Sequence, residues 1–291
     1  MKISRFKLLR PANFLVSASA RVAVAALCFV SVVARTGTFR VGVVDVRGCR
    51  LHFSESGSGK DTVVFESGLG EDGSTWNDVQ PQVAQFAHTV VYDRAGLGKS
   101  DLPPIGTRAR TVKDMARDLH FLLHAIKASP PYLLVGHSLG GAIVQVFAHS
   151  YPTEVAGLVL VDPEDSRLVD MLHLRMSVSD WAAREKAIKA AMSAMPPGVK
   201  AEQDAAFTTS GAYASEAIPL PAVPVILLTG TKKNPEFPGN PLEQDTKLEL
   251  HNGLLAKIPN GKHVLSPNSR HYIQNDDPGL VVKSISELLG K

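Results

Sequence analysis

The sequence predicts an α/β domain: a mostly parallel central sheet flanked by helices, entered through antiparallel strands and carrying one helical insertion. Three observations carry this. Short apolar runs alternate with amphipathic stretches from Gly42 onward, at the spacing of βαβ units. One of these runs, Tyr132-Leu133-Leu134-Val135, leads through Gly136-His137-Ser138-Leu139-Gly140-Gly141 into a segment whose apolar residues (Ile143, Val144, Val146, Phe147) have helical spacing. The alternation then stops at residues 163–222, which hold helical patterns and no strand signal, and resumes at 225–228.

In chain order, residues 43–46 and 50–53, joined by Gly48-Cys49, read as a β-hairpin. Residues 61–66 (DTVVFE) form an apolar strand that runs into Ser67-Gly68-Leu69-Gly70, a loop with unencumbered backbone N–H groups. A short helix is expected over 79–86, then a buried strand over 89–92 that ends in Asp93-Arg94-Ala95-Gly96-Leu97-Gly98. Residues 111–127 give the clearest amphipathic helix, with Val112, Met115, Leu119, Leu122, Leu123 and Ile126 on one face. Residues 155–161 (VAGLVLV) are the next buried strand, closed by Asp162-Pro163.

The stretch 163–222 is helical in part, most clearly over 181–195, and has a Pro/Gly-interrupted tail at Met195-Pro196-Pro197-Gly198. An insertion at the carboxyl edge of such a sheet is expected to form a lid. Residues 225–228 resume the sheet and 229–241 form a polar, Pro-rich loop. Residues 242–256 are helical, 262–265 make the last strand, and 278–289 a closing helix. The core is thus expected over 42–162 and 223–290.

Residues 1–36 read as a targeting segment. Lys2, Arg5, Lys7 and Arg10 precede an apolar run over 22–34, the length of a signal-peptide core, with small residues at Val32 and Ala34. Export is the expectation, and an uncleaved membrane anchor over residues 14–34 the alternative. A formal net charge of +3, much of it in the first ten residues, does not suggest a nucleic-acid partner. Removing the segment would leave Cys49 as the only cysteine, so no intramolecular disulfide is expected.

The chemistry centres on Ser138. With 23 glycines in 291 residues, chance supplies a Gly-x-Ser-x-Gly in about one such sequence in seven, so the pentapeptide alone is weak. Its setting, strand before and helix after, is that of a nucleophile elbow. A serine hydroxyl needs a general base, and the base needs a partner that fixes its tautomer. Of ten histidines, His271 stands out because it lies in a polar loop between the last strand and the last helix, at the ligand-binding end of an open sheet. His137 should point away from the serine, and His120 and His124 lie on the polar side of a helix. Asp93 and Asp101 read as turn closers, with Arg94 a candidate partner for one of them. Glycines 96 and 98 are followed by no Lys-Ser/Thr on a helix, so no nucleotide site is expected. No His/Cys/carboxylate cluster shows metal-ligand spacing, and no metal or other cofactor is expected.

Four stretches together resemble the serine hydrolases of the α/β-hydrolase fold, in the esterase/lipase-like group. They are Glu66-Ser67-Gly68-Leu69-Gly70, the Asp93–Asp101 glycine loop, Gly136-His137-Ser138-Leu139-Gly140-Gly141, and His271-Tyr272-Ile273-Gln274-Asn275-Asp276-Asp277-Pro278. The resemblance implies Ser138 as nucleophile, His271 as base, and an oxyanion hole from the backbone N–H groups of Leu69 and Leu139. The sequence departs from the family at the acid. Gly230 is followed by Thr231-Lys232-Lys233-Asn234, with no carboxylate where relatives carry one. Asp162, at the end of the preceding strand as in pancreatic-type lipases, is the first substitute; Glu236 and Asp165 are the others. The implied substrate is a small molecule, most simply a carboxylic ester. The same elbow also serves amides, thioesters or C–C bonds, or a non-catalytic binding protein. Met171, Met176, Trp181, Met192, Met195 and Phe207 in the insertion suggest an apolar substrate group, or equally the packing of the insertion itself.

Overall fold

Eight strands build the sheet: β1 (Arg40–Val46), β2 (Cys49–Ser56), β3 (Thr62–Glu66), β4 (His88–Tyr92), β5 (Tyr132–His137), β6 (Val155–Val161), β7 (Val225–Gly230) and β8 (Gly261–Ser266). Their spatial order in the computed structural model is β1-β2-β4-β3-β5-β6-β7-β8. The pairs β1–β2 and β2–β4 are antiparallel, and every pair from β4 through β8 is parallel. The structure describes residues 39–103, 110–203, 219–233 and 240–291, all within one compact unit, Thr36–Lys291. The expected targeting segment and the candidate Glu236 lie outside the described residues. Among the described residues no helix is long and apolar enough to cross a membrane.

The central strands are buried on both faces, as parallel strands covered by helices must be. Their side chains alternate between two cores. Val64, Val90, Leu134, Leu158, Leu160 and Leu227 meet helices α2 (Val112–Ile126) and α3 (Leu139–Ser150) on one face. Val63, Phe65, Val135, Val159, Val161 and Leu228 meet Trp76, Ile273, Val281 and Ile285 on the other. The six apolar residues expected on one face of α2 are all buried. That helix begins with a capping box, in which Thr111 Oγ1 accepts from the Asp114 N–H and the Asp114 carboxylate accepts from the Thr111 N–H.

Three elements differ from expectation. The helix anticipated over 79–86 is one turn, α1 (Gln80–Val83). Between β6 and β7 the helix α5 (Val178–Ser193) is flanked by two further helices, α4 (Leu168–Arg175) and α6 (Pro197–Gln203), the latter where a broken tail was expected. A short helix α8 (Ile273–Asp276) follows His271, after α7 (Asn240–Leu255) and ahead of α9 (Pro278–Leu288).

The turn from β5 into α3 is set by backbone contact. A Cβ on Gly136 would lie 2.5 Å from Gly140 O, and one on Gly140 would lie 2.3 Å from Glu66 O. Both neighbours are main chain and cannot swing aside, so Gly140→Ala is expected to cost about 1–3 kcal/mol of stability by overpacking, measured as a lower urea midpoint at unchanged m-value.

Candidate active site

Ser138 occupies the single residue between β5 and α3, with φ 51° and ψ −119°. This is a conformation that side chains disfavour, and it persists because the turn is held from all sides. The Ser138 N–H donates to Val161 O at 3.1 Å, and its carbonyl accepts from the N–H groups of Gly141 and Glu164 at 2.9 Å each. Its Oγ, among the described residues, makes no hydrogen bond and points its lone pairs at no committed partner. Such resting geometry commonly tightens once substrate is bound.

His271 stands at the same end of the sheet, in the loop between β8 and α8. Its Nδ1 donates to Asp162 Oδ2 at 2.6 Å, which leaves Nε2 as the nitrogen able to accept a proton. Asp162 follows the last residue of β6, has a positive φ of 45°, and is fully buried. Burial alone would raise its pKa. The charge of Lys247 and the hydrogen bond from His271 more than reverse this and hold the carboxyl well below the usual carboxylate range. Lys247, on α7, donates to Oδ2 at 2.5 Å, and the Gly230 N–H donates to Oδ1 at 3.0 Å. Burial lowers the pKa of His271, the Asp162 hydrogen bond opposes that shift, and the positive charge of Lys247 adds to it.

The loop after β3 is fixed by Arg94. This guanidinium, 5% exposed, is turned inward beneath residues 66–68. Its Nη1 donates to Glu66 Oε1 at 2.8 Å and Ser67 O at 2.6 Å, and its Nη2 to Gly68 O at 2.5 Å. Nε and Nη2 also reach the Glu202 carboxylate of α6 at 2.6 and 2.9 Å, and Glu202 accepts the Gly70 N–H at 2.7 Å. Burial pushes the Glu66 carboxyl up, against the pull of Arg94 and the hydrogen bond from Tyr92. Leu69 is thereby held between two anchored residues. Among the described residues its N–H, like that of Leu139 at the first position of α3, meets no acceptor, as expected for a helix's first amide.

His137 is fully buried. Its ring bridges Glu71 Oε2 (3.1 Å) and the His271 carbonyl (3.0 Å), tying the His271 loop to the elbow. Burial would raise the pKa of Glu71, but hydrogen bonds from His137 and the Gly68 N–H leave it lowered overall.

Of the residues expected from sequence, the structure brings Asp162 and His271 into contact and places Leu69, Ser138 and Leu139 at the same carboxyl edge of the sheet. Asp165 is elsewhere engaged, bonded through both oxygens to Arg167. Arg94 pairs with neither Asp93 nor Asp101. Asp93 accepts from the N–H groups of Gly73 and Lys99, and Asp101 pairs with Arg50. The reason is distance along the chain: the partners Arg94 reaches are made by β3 and α6. Lys247, Glu202 and Glu71 carry no local motif and were not anticipated. His251 and His263 are structural: Thr229 Oγ1 lies 2.7 Å from a ring nitrogen of each, and His251 Nε2 donates to Pro163 O. Burial brings the pKa of His251 down to about 4.

A cavity of about 420 Å³ opens beside His271, with Glu164, Glu243, Gln244, Lys247, Arg270 and Tyr272 on its wall. Burial and the neighbouring Glu243 carboxylate push the Glu164 pKa up to about 7. Met171, Met176 and Trp181 pack instead against Leu168, Leu172 and Leu250, so these three serve the packing of the insertion.

A family model described as "alpha/beta hydrolase fold" matches residues 61–190. An uncharacterized protein of Bacillus subtilis, YqjL, is 26% identical over 245 residues, covering 84% of this chain and 89% of that protein. Further curated relatives match over shorter stretches, and the chain spans between 19% and 38% of their length. Among solved structures, a thermophilic esterase from Thermogutta terrifontis superposes with a TM-score of 0.55 at 20% identity, covering 87% of this chain and 97% of that one. Est816, an N-acyl homoserine lactone degrading enzyme, superposes at 0.59 with 19% identity, covering 84% and 99%.

Lys247→Met tests the buried pair. Removing one partner leaves Asp162 charged without its cation, at an expected cost of about 3–5 kcal/mol in urea unfolding. With that positive charge gone, the imidazolium is less disfavoured, so the His271 pKa read by NMR titration should rise.

Proposed function

Since the chain has the α/β-hydrolase fold, we propose that it is a serine hydrolase that cleaves a carboxylic ester through an acyl-enzyme. The observation that carries this reading is the pair His271–Asp162, 2.6 Å apart at the edge of the sheet where the strained Ser138 turn lies. In this reading Ser138 Oγ attacks the ester carbonyl while His271 Nε2 takes its proton. Asp162 keeps the imidazole in the tautomer with hydrogen on Nδ1 and offsets the charge of the imidazolium that forms. The carbonyl oxygen, now an anion, accepts from the N–H groups of Leu69 and Leu139, each worth roughly 3–4 kcal/mol of barrier. Collapse expels the alcohol, which leaves with the proton from His271. Water then attacks the acyl-enzyme, His271 taking its proton, and collapse returns that proton to Ser138 Oγ as the carboxylic acid is released.

Two neighbours of this fold, an esterase and a lactone-degrading enzyme, are compatible with ester chemistry. A binding-only protein was suggested by the absent carboxylate after Gly230, and the Asp162–His271 contact removes that motive. The apolar acyl group anticipated from the insertion loses Met171, Met176 and Trp181 as support, while the polar wall beside His271 favours a substrate with polar groups on that flank. Residues 1–36 are read as the segment that exports the enzyme, or anchors it to a membrane.

Ser138→Ala should abolish hydrolysis of p-nitrophenyl esters and labelling by a fluorophosphonate; an ester panel of increasing chain length then ranks substrates. Asp162→Asn should lower kcat by about 10⁴, while Asp165→Asn and Glu236→Gln leave it near wild type. Undiminished ester hydrolysis by Ser138→Ala would overturn the proposal.

A further inference from the structure

At the other end of the sheet, α2 and the turn before β6 bring together three side chains of metal-ligand type. His120 and His124 are one helical turn apart, and so share a face of α2. Glu154 closes the 3-10 turn Pro152–Glu154 that leads into β6. Each imidazole faces its own carboxylate oxygen: His120 Nδ1 lies 3.3 Å from Oε2, and His124 Nε2 lies 3.3 Å from Oε1. The donor atoms of all three residues lie within 4.8 Å of one another. We propose that His120, His124 and Glu154 form a binding site for a divalent transition metal of the zinc type, which clips α2 to the entry of β6.

The distances also accommodate a metal ion. At 3.3 Å both contacts are long beside the usual N–H···O of about 2.9–3.0 Å. They match the roughly 3.3 Å that separates two ligands of a tetrahedral ion bound at about 2.0–2.1 Å. The site is also oriented in advance. The His120 ring stacks on Tyr151, with centroids 3.9 Å apart and planes 4° from parallel, and Tyr151 caps the end of α3. Little side-chain freedom remains for a metal to remove at that ligand. Two imidazoles and one carboxylate suit Zn²⁺, Ni²⁺ or Cu²⁺, whereas Ca²⁺ and Mg²⁺ prefer oxygen ligands throughout. His124, with 55% of its side chain exposed, leaves the approach open and a fourth position to water.

The place argues for structure rather than chemistry. Glu154 precedes the first residue of β6 and Ser138 follows the last residue of β5, a neighbouring parallel strand of six residues, so about 20 Å separates the two sites. The sequence shows two histidines four residues apart and so no metal-ligand cluster, against which the structure places Glu154, thirty residues further on, beside them.

The test is calorimetric titration of the full, tag-free chain with ZnCl₂, with CaCl₂ as control. One Zn²⁺ should bind per chain, with no comparable Ca²⁺ binding. His124→Ala and Glu154→Gln should each weaken Zn²⁺ by about tenfold or more, since loss of an outer-shell partner alone has that effect. Zinc should raise the melting temperature of wild type and leave that of His124→Ala unchanged. Metal-free melting curves and fluorophosphonate labelling of Ser138 serve as fold controls for both variants. Absence of saturable Zn²⁺ binding by wild type, or binding that survives both substitutions, overturns the proposal, whatever substrate the enzyme takes.

Discussion

The carboxylate of Asp162 is where four separate parts of the chain converge. It sits at the end of β6, and its donors come from the end of β7 (Gly230), from α7 (Lys247) and from the loop before α8 (His271). A charge fully removed from water is tolerable only when donors surround it, because its lost hydration must be replaced. That requirement fixes the geometry of all three donors at once. The adjoining residue, Val161, accepts the Ser138 N–H, so the same strand end positions the turn that bears the serine. The imidazole is therefore aimed by a carboxylate that cannot move without unsatisfying three other groups.

Arg94 plays the corresponding part on the opposite flank. Among the described residues it is the one cation bonded to both buried carboxylates Glu66 and Glu202, and it also takes up two carbonyls of the loop after β3. Glu202 belongs to α6, in the segment between β6 and β7, and it holds the Gly70 N–H as well. The conformation of the loop that presents the Leu69 N–H thus depends on a helix more than 130 residues away in sequence. Hydrogen bonds to charged groups in such a dry setting are the stronger kind.

How much of this was legible follows from the range of the interactions. The limits of β6 and the buried face of α2 could be read because apolar periodicity is a local signal. The elbow could be read because its glycines are demanded by contacts within a few residues and by the strand alongside. Asp162 was identifiable as the first of three candidate carboxylates, with Glu236 and Asp165, and its contact with His271 becomes visible only once the sheet is assembled. Lys247 could not be found: a lysine in a helical pattern looks solvated until the acid 85 positions earlier is placed against it. Arg94 was matched to its chain neighbours for the same reason. The helix α6 was missed because Pro197-Gly198 reads as a break, although proline is well suited to the first turn of a helix.

The position of Asp162 at the end of β6 bears on what is asked of the segment leaving β7. That segment contributes a main-chain amide to the carboxylate through Gly230, and this glycine is irreplaceable, since a Cβ there would fall 1.9 Å from the Arg270 carbonyl. Of the described residues between it and α7, 231–233, none gives a side chain to the His271–Asp162 pair. Side-chain substitutions at residues 231–233 are therefore expected to leave the hydrogen bonds around Asp162 intact.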